Sequence, residues 1–295
     1  MLLSVLIPVY RQHPEALLKA LAEQIAETGI AAEVLVLDDS ADTTAFGWHD
    51  LYAAHSGIRI MCFEENLGRS AARNRLMQGA QGDFLLFLDG DMELPDAFLE
   101  KLLPFLKKEQ LVCGGIVSLA DGNNGLRARY SRKVEEKSAA TRNKHPYRSF
   151  TAANFVMPVG LKNKLQFPEP HKGYGHEDTH FGLQLMAGKW PVLHIDCPAL
   201  HTGLDTDQVF VAKSREAVKN LVQLYRLDPL FQKYASEIRL IRTWQVAQAT
   251  GLLFFLTPFL SWMEGYLKSG KGSLNLFSLY KLALFEFYFR RKTSL

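Results

Sequence analysis

Two carboxylates one residue apart, Asp89 and Asp91, can hold a hard divalent cation, which can in turn hold phosphate oxygens. Gly90 between them lets the chain turn tightly. The pair follows an uninterrupted apolar run from Phe84 to Leu88, itself preceded by Gly82-Asp83. A run of that length without alternation predicts a strand buried on both faces, as in a parallel sheet covered by helices. Ligands of open α/β sheets bind beyond the carboxyl ends of such strands, so both carboxylates land where a site would be. A strand ending in a polar turn would leave the same residues, so the pair needs support from the rest of the chain.

A second acidic pair lies further along. In Gly173-Tyr174-Gly175-His176-Glu177-Asp178 the glycines read as a flexible loop that delivers carboxylates to a helix start. From Asp178 onward Phe181, Leu185 and Met186 share one side at helical spacing. Asp178 suits the N-cap of an ordinary helix equally well. Beyond it, a short strand at 191–195 leads to Asp196-Cys197-Pro198-Ala199-Leu200-His201, where a single His is as easily structural as a ligand.

The elements that must position these groups alternate. Strands are predicted at 4–10, 33–37, 58–63 and 84–88, and helices at 14–27, 70–79 and 96–107, the last with Pro95 near its first turn. Strand, helix, strand, helix implies an α/β fold, a mostly parallel nucleotide-binding sheet flanked by helices. Pro8-Val9-Tyr10, Asp38-Asp39, Asn66 with Arg69, and Asp89-Gly90-Asp91 all follow predicted strand ends and gather on one rim. Arg69 sits in the first turn of a helix starting near Gly68, where free amides assist in holding an anion. Taken singly, Asp38 could cap a turn and Arg73 could be a surface ion-pair partner. Four coincidences on one rim favour a binding site.

Composition sets the outer bounds. With 295 residues, 47% apolar and 22% charged, the chain is an ordinary folded protein with ample length for a core. A formal charge of +3 gives no argument for nucleic acid. Cys62, Cys113 and Cys197 lie far apart without metal-type spacing, which suits reduced thiols in a cytoplasmic compartment. The first residues run directly into a strand pattern and do not resemble a secretory signal.

Four stretches together resemble a known family. Ile7-Pro8-Val9-Tyr10, Leu37-Asp38-Asp39-Ser40, Glu65-Asn66-Leu67-Gly68-Arg69-Ser70-Ala71-Ala72-Arg73-Asn74 and Phe87-Leu88-Asp89-Gly90-Asp91 are similar, in order and spacing, to the signatures of family 2 glycosyltransferases with the GT-A fold. The likeness covers roughly the first 110 residues and resumes around 150–205. It implies an enzyme of hexosyltransferase type that takes a sugar from a nucleotide-sugar donor, expected to be a UDP-sugar. It also implies a divalent metal and inversion at the anomeric carbon. By the same resemblance Pro8 and Tyr10 lie along the base, and Asp38 or Asp39 accepts from its ring N–H. Arg69 approaches the base or diphosphate, while Asn66 and Arg73 hold the loop framing them. Asp89 and Gly90 face the ribose or donor sugar, and Asp91 binds the metal. Asp178 falls at the general base, with Glu177 orienting acceptor or loop. His201 falls where related enzymes supply a further metal ligand, and an oxygen/nitrogen site of that kind favours Mn²⁺ while allowing Mg²⁺. His171, His176 and His180 compete for that role. Asn154 resembles the segment preceding the acceptor site.

Two other readings stay open. A non-catalytic sugar-nucleotide or glycan-binding module on this scaffold would be expected to have lost at least one of Asp89, Asp91, Asp178 and a candidate metal His. Glycosyl transfer to a polyprenyl phosphate needs no general base, which sets Asp178 against it.

The remaining stretches are less specific. Residues 127–148 carry eight Lys/Arg against Glu135 and Glu136, either a solvated surface or a lid that contacts an acceptor phosphate. Trp190 is read as core. The expected division is a GT-A catalytic domain at 1–215 and a helical C-terminal extension at 216–295. Residues 244–263 contain no charge, and 274–289 are apolar nearly all round, with Asn275, Ser278 and Lys281 forming a narrow polar stripe, before Arg290-Arg291-Lys292. Either these helices cap the catalytic domain, or they form a monotopic hairpin on the cytoplasmic membrane face near a lipid-linked acceptor. The second is the working expectation.

Overall fold

The computed structural model describes residues 1–41, 57–119, 124–169, 174–248 and 251–291; His171, Gly173 and Lys292, named above, lie outside them. The central sheet is built from β1 (Leu2–Val9), β2 (Ala31–Asp38), β3 (Ile58–Cys62), β4 (Phe84–Leu88), β6 (Leu111–Cys113), β8 (Asn154–Pro158) and β9 (Val192–His194). Their order is β3-β2-β1-β4-β8-β6-β9. Only β8 runs against its neighbours β4 and β6; the other pairings are parallel. All five residues of β4 are buried. Leu86 and Leu88 enter one core while Leu85 and Phe87 enter the other. A strand with two dry faces keeps no polar side, which is why its sequence does not alternate.

Helices α1 (Glu15–Thr28) and α2 (Arg69–Gly79) cover opposite faces. Leu17, Leu18 and Leu21 belong to the first core, and Ala72, Leu76 and Met77 to the second. The helix expected over 96–107 is shorter. α3 spans Phe98–Leu102 and gives way to a 3₁₀ turn at Leu103–Phe105, since Pro104 has no N–H to continue the helical ladder.

A small second sheet joins distant segments. It contains β5 (Met92–Glu93), β7 (Ile116–Ser118) and β10 (Ala199–His201) in the order β5-β10-β7. Its pairing sets His201 opposite Met92, next in sequence to Asp91. Asn154 sits at the junction of the sheets, fully buried, with its amide donating to the carbonyls of Gly115 (2.8 Å) and Cys197 (3.0 Å). Those bonds make it a clamp between strand ends. Trp190 packs at the edge of the second core, in line with expectation.

The basic stretch divides between two short helices, α4 (Leu126–Tyr130) and α5 (Ala139–Arg142), and the turns around them. Arg142 is buried and donates to the carbonyls of Gly114 (3.0 Å) and Ile195 (2.7 Å), and Arg129 reaches the carbonyls of Gly270 and Gly272. Arg132, Lys133, Lys137, Lys144 and Arg148 are exposed. Neither a uniformly solvated run nor a single lid describes it.

The C-terminal helices build a third core. α7 (Asp207–Leu227), the short α8 (Pro229–Lys233), α9 (Arg239–Gln248), α11 (Leu260–Lys268) and α12 (Leu274–Arg290) contribute Val218, Leu221, Phe231, Ile241, Trp244, Met263, Phe277, Tyr280 and Phe285, joined by Leu126 and Leu183. The expected boundary at 215/216 therefore falls inside one unbroken helix, α7, which belongs with the extension. The charge-free stretch 244–263 is also not continuous. Gly251, at φ 68, and Pro258 break it, leaving α10 (Leu252–Leu256) and a 3₁₀ turn, Thr257–Phe259, between α9 and α11. Among the described residues no single helix is long and apolar enough to cross a membrane; one pair passes only when bent by 110°.

Candidate active site

The ends of β1, β2 and β4 and the start of α2 meet at one rim, as expected. Pro8, Tyr10, Asp39, Arg69, Arg73, Asp89, Gly90 and Asp91 line a cavity of about 100 Å³ there, together with Gln12. Asp38 turns aside, its carboxylate accepting from the Ser40 N–H at 3.0 Å. Asp39 takes the backbone N–H groups of Leu67 (2.5 Å) and Gly68 (2.8 Å) and the Asn66 amide (2.9 Å). Burial raises the pKa of Asp39 against the pull of those two N–H donors. Asn66 thus ties its loop to the end of β2.

Arg73 does something else. It is buried, and its guanidinium donates to Asp89 at 2.7 Å rather than to the loop at 66–68. The register of α2 puts it on the sheet side, under the end of β4. Burial opposes ionisation of Asp89, but Arg73 prevails and holds its carboxyl below the usual range. The remaining nitrogens of Arg73, Nε and one Nη, are buried beside the cavity without a partner among the described residues. An oxygen-rich ligand would supply those acceptors.

Gly90 is required by space. A Cβ there would lie 2.7 Å from Gln12 Nε2, 3.0 Å from Val9 Cγ2 and 3.2 Å from the Pro8 carbonyl oxygen. Gly90→Ala is expected to strain the strand end by on the order of 1–3 kcal/mol and weaken nucleotide binding about tenfold. Calorimetry with UDP and Mn²⁺ measures this, and unchanged affinity would show that the strand ends tolerate the methyl group.

Asp91 and His201 meet across the small sheet, Oδ2 to Nε2 at 3.1 Å. That hydrogen bond raises the His201 pKa against the effect of burial. Asp91 Oδ1 and His201 Nδ1 are buried with no partner among the described residues. An orphaned carboxylate oxygen beside an imidazole fits a divalent cation. Among the described residues no group of three or more His, Cys, Asp or Glu suits a metal, so diphosphate oxygens and water would complete the shell. Of the competing histidines, the two that are described have other surroundings. His180 pairs with Asp228 at 3.1 Å, and burial pushes the His176 pKa down to about 4.

Helix α6 (Glu177–Ala187) carries the second acidic pair. The backbone cap is His176, in the left-handed region at φ 76, so Asp178 is not the N-cap. Phe181 anchors the helix, stacking on Phe167 at 4.6 Å and Phe150 at 5.0 Å, beside Phe155, which stacks on Phe87 of β4. One aromatic cluster therefore fixes α6 relative to the strand that bears Asp89. Burial and Glu177 push the Asp178 pKa up to about 6, against Arg73 and a hydrogen bond from the Ala152 N–H. Glu177 lies 3.8 Å from Arg69.

The family description Glycosyl transferase family 2 matches residues 4–159, more than half of the chain. The chain belongs to that family. An uncharacterized glycosyltransferase of Haemophilus influenzae is 28% identical over 114 residues, 38% of this chain and 44% of the relative. The Bacillus subtilis protein described as putative teichuronic acid biosynthesis glycosyltransferase TuaG is 35% identical over 75 residues, 25% and 30% of the two chains. This family 2 chain thus spans less than half the length of these curated relatives. In fold it is similar to S. aureus TarS 1-349 solved with UDP-GlcNAc, with a TM-score of 0.53 and 16% identity over 98% of this chain and 91% of that one.

Several residues beside the site were not assigned to it from the sequence. Arg127, Glu135, Tyr174, Asp205, Phe210 and Lys213 join Asp91 and His201 around a chamber of about 210 Å³. Tyr174 lies between two cations, with Arg69 at 5.1 Å and Lys213 at 5.5 Å from its ring. Lys213 also binds Asp205 at 2.8 Å. Tyr174 could have been singled out by its place between the two loop glycines. The others arrive through the packing of residues 127–135 against 205–213.

Proposed function

We propose that this family 2 chain is an inverting, metal-dependent transferase that moves a sugar from a UDP-sugar to a hydroxyl of a glycan or lipid-linked acceptor. The observation that carries this reading is the grouping of three devices: the Asp91–His201 pair, the Arg73–Asp89 ion pair, and Asp178, whose charge is felt by both members of that ion pair. Pro8 and Tyr10 would bracket the base, with Asp39, which borders the same cavity, as the carboxylate nearest to it. Asp89 would hold the ribose or donor sugar. Asp91 and His201 would hold Mn²⁺ or Mg²⁺, which would neutralise charge on the departing diphosphate.

Asp178 would accept the proton of the acceptor hydroxyl as its oxygen attacks the anomeric carbon. A carbon–oxygen bond forms on one face, the bond to the diphosphate breaks on the other, and the electron pair leaves with the nucleotide. We place the acceptor in the cavity of about 500 Å³ that Asp178 borders, lined also by Lys137, His145, Arg239 and Arg242. Lys137, Arg239 and Arg242 suit an acceptor bearing phosphate, and Lys137 comes from the basic stretch. The UDP-GlcNAc complex named for TarS and the polymer named for TuaG support a UDP-sugar and a surface-polysaccharide role, but identify neither sugar nor acceptor here.

Incubation with a panel of nucleotide sugars and Mn²⁺ tests the reading through release of nucleoside diphosphate. Release is expected from a UDP-sugar and should stop on chelation. Undiminished release in excess chelator would remove the metal from the mechanism, and binding without any release would favour the non-catalytic module.

A further inference from the structure

Away from the rim, α10, the turn after it and α11 present a row of rings to solvent. Phe254, Phe255, Phe259, Trp262 and Tyr266 are 51%, 68%, 57%, 63% and 43% exposed. Trp262 and Tyr266, one helical turn apart, stack with centroids 5.9 Å apart and planes 6° from parallel. The other side of α11 is already occupied: Leu260, Met263 and Leu267 are buried in the third core. The rings are therefore surplus to folding, and an exposed apolar cluster of this kind marks a contact surface.

Charge identifies what would cover it. Residues 251–291 hold five Lys/Arg and two Glu, with no Asp. Both carboxylates are engaged within the fold, Glu264 by Arg215 (2.5 Å) and Lys268 (2.7 Å), and Glu286 by the Trp244 indole N–H (2.8 Å) and by Arg290. The Arg290 guanidinium lies 5.1 Å over the Phe254 ring, so a cation borders the aromatic row, and Arg291 follows on the exposed end of α12.

We propose that this face docks on a bilayer surface bearing anionic headgroups, with the rings in the interfacial layer and Arg290 and Arg291 among the phosphates. Aromatic side chains settle at the headgroup level, and basic residues beside them add attraction to anionic lipid. The contact is in-plane. The hairpin expected from sequence is revised, because α12 spends Phe277, Tyr280, Ala283, Leu284 and Phe285 on the third core. The inference is independent of the transfer reading, since no residue in it touches the rim.

Flotation of the full-length protein with vesicles of phosphatidylcholine alone, or with added phosphatidylglycerol, tests it. Binding is expected only with the anionic lipid and should weaken in high salt. The Phe255→Ser/Trp262→Ser double variant should lower affinity roughly tenfold or more, and Arg291→Glu should lower it too. Both should keep the wild-type melting temperature and UDP-sugar turnover. Equal binding to neutral vesicles, or none to either, overturns the proposal. So does concentration-dependent self-association that the double variant abolishes, which would make a second copy the occupant.

Discussion

Asp91→Ala is expected to remove nearly all turnover, a loss on the order of 10³ in rate, and to weaken UDP binding in the presence of Mn²⁺. The expectation follows from the two buried orphan atoms at this point, Asp91 Oδ1 and His201 Nδ1. Among the described residues this carboxylate and this imidazole would be the protein's ligands, so losing the carboxylate would leave the proposed cation with one of them. The effect should therefore be seen in Mn²⁺-dependent UDP affinity as well as in rate. UDP binding without metal should change little, because the Arg73–Asp89 pair and the Asp39 loop remain. Calorimetry with and without Mn²⁺, beside a turnover assay, separates the two. Equal metal dependence in wild type and variant would show that the cation is held elsewhere.

Asp178→Asn should act on turnover and on stability in opposite directions. Loss of a general base is expected to cost about 10² or more in rate, with UDP affinity retained because the donor cavity lacks this residue. In the wild type the rate should fall as pH drops below about 6, where the carboxyl takes up its proton. Stability has its own sign. The folded-state pKa, about 6, lies above the ordinary 3.8, so the folded protein binds the extra proton between those values. Stability contributed by that proton is present below about pH 4 and is lost as pH rises through about 6. An asparagine side chain in place of Asp178 would carry no charge to bury and could still accept from the Ala152 N–H. The variant should therefore melt higher at pH 7, by on the order of 1 kcal/mol, with the difference vanishing at low pH. Thermal melts of the donor-free protein at several pH values measure this. A variant that melts lower at pH 7 and keeps its rate would assign Asp178 to structure.

Sequence alone determined the α/β class, the dry strand Phe84–Leu88 and the rim where Pro8, Tyr10, Asp39, Arg69 and Asp91 gather. The reason is physical: a strand buried on both faces must be apolar throughout, and groups that follow such strands have one place to go.

Tertiary structure decided the rest. By resemblance Arg73 reads as a loop holder until the register of α2 places it under Asp89. The union of Asp91 with His201 depends on β5 pairing with β10 across more than a hundred residues, a contact no local pattern announces. Apolar content likewise told that 244–289 must be covered, but not by what. Packing assigned α12 to the third core and left the rings of α10 and α11 outside, because burial depends on which face a neighbour occupies, and hydropathy along a chain carries no record of neighbours.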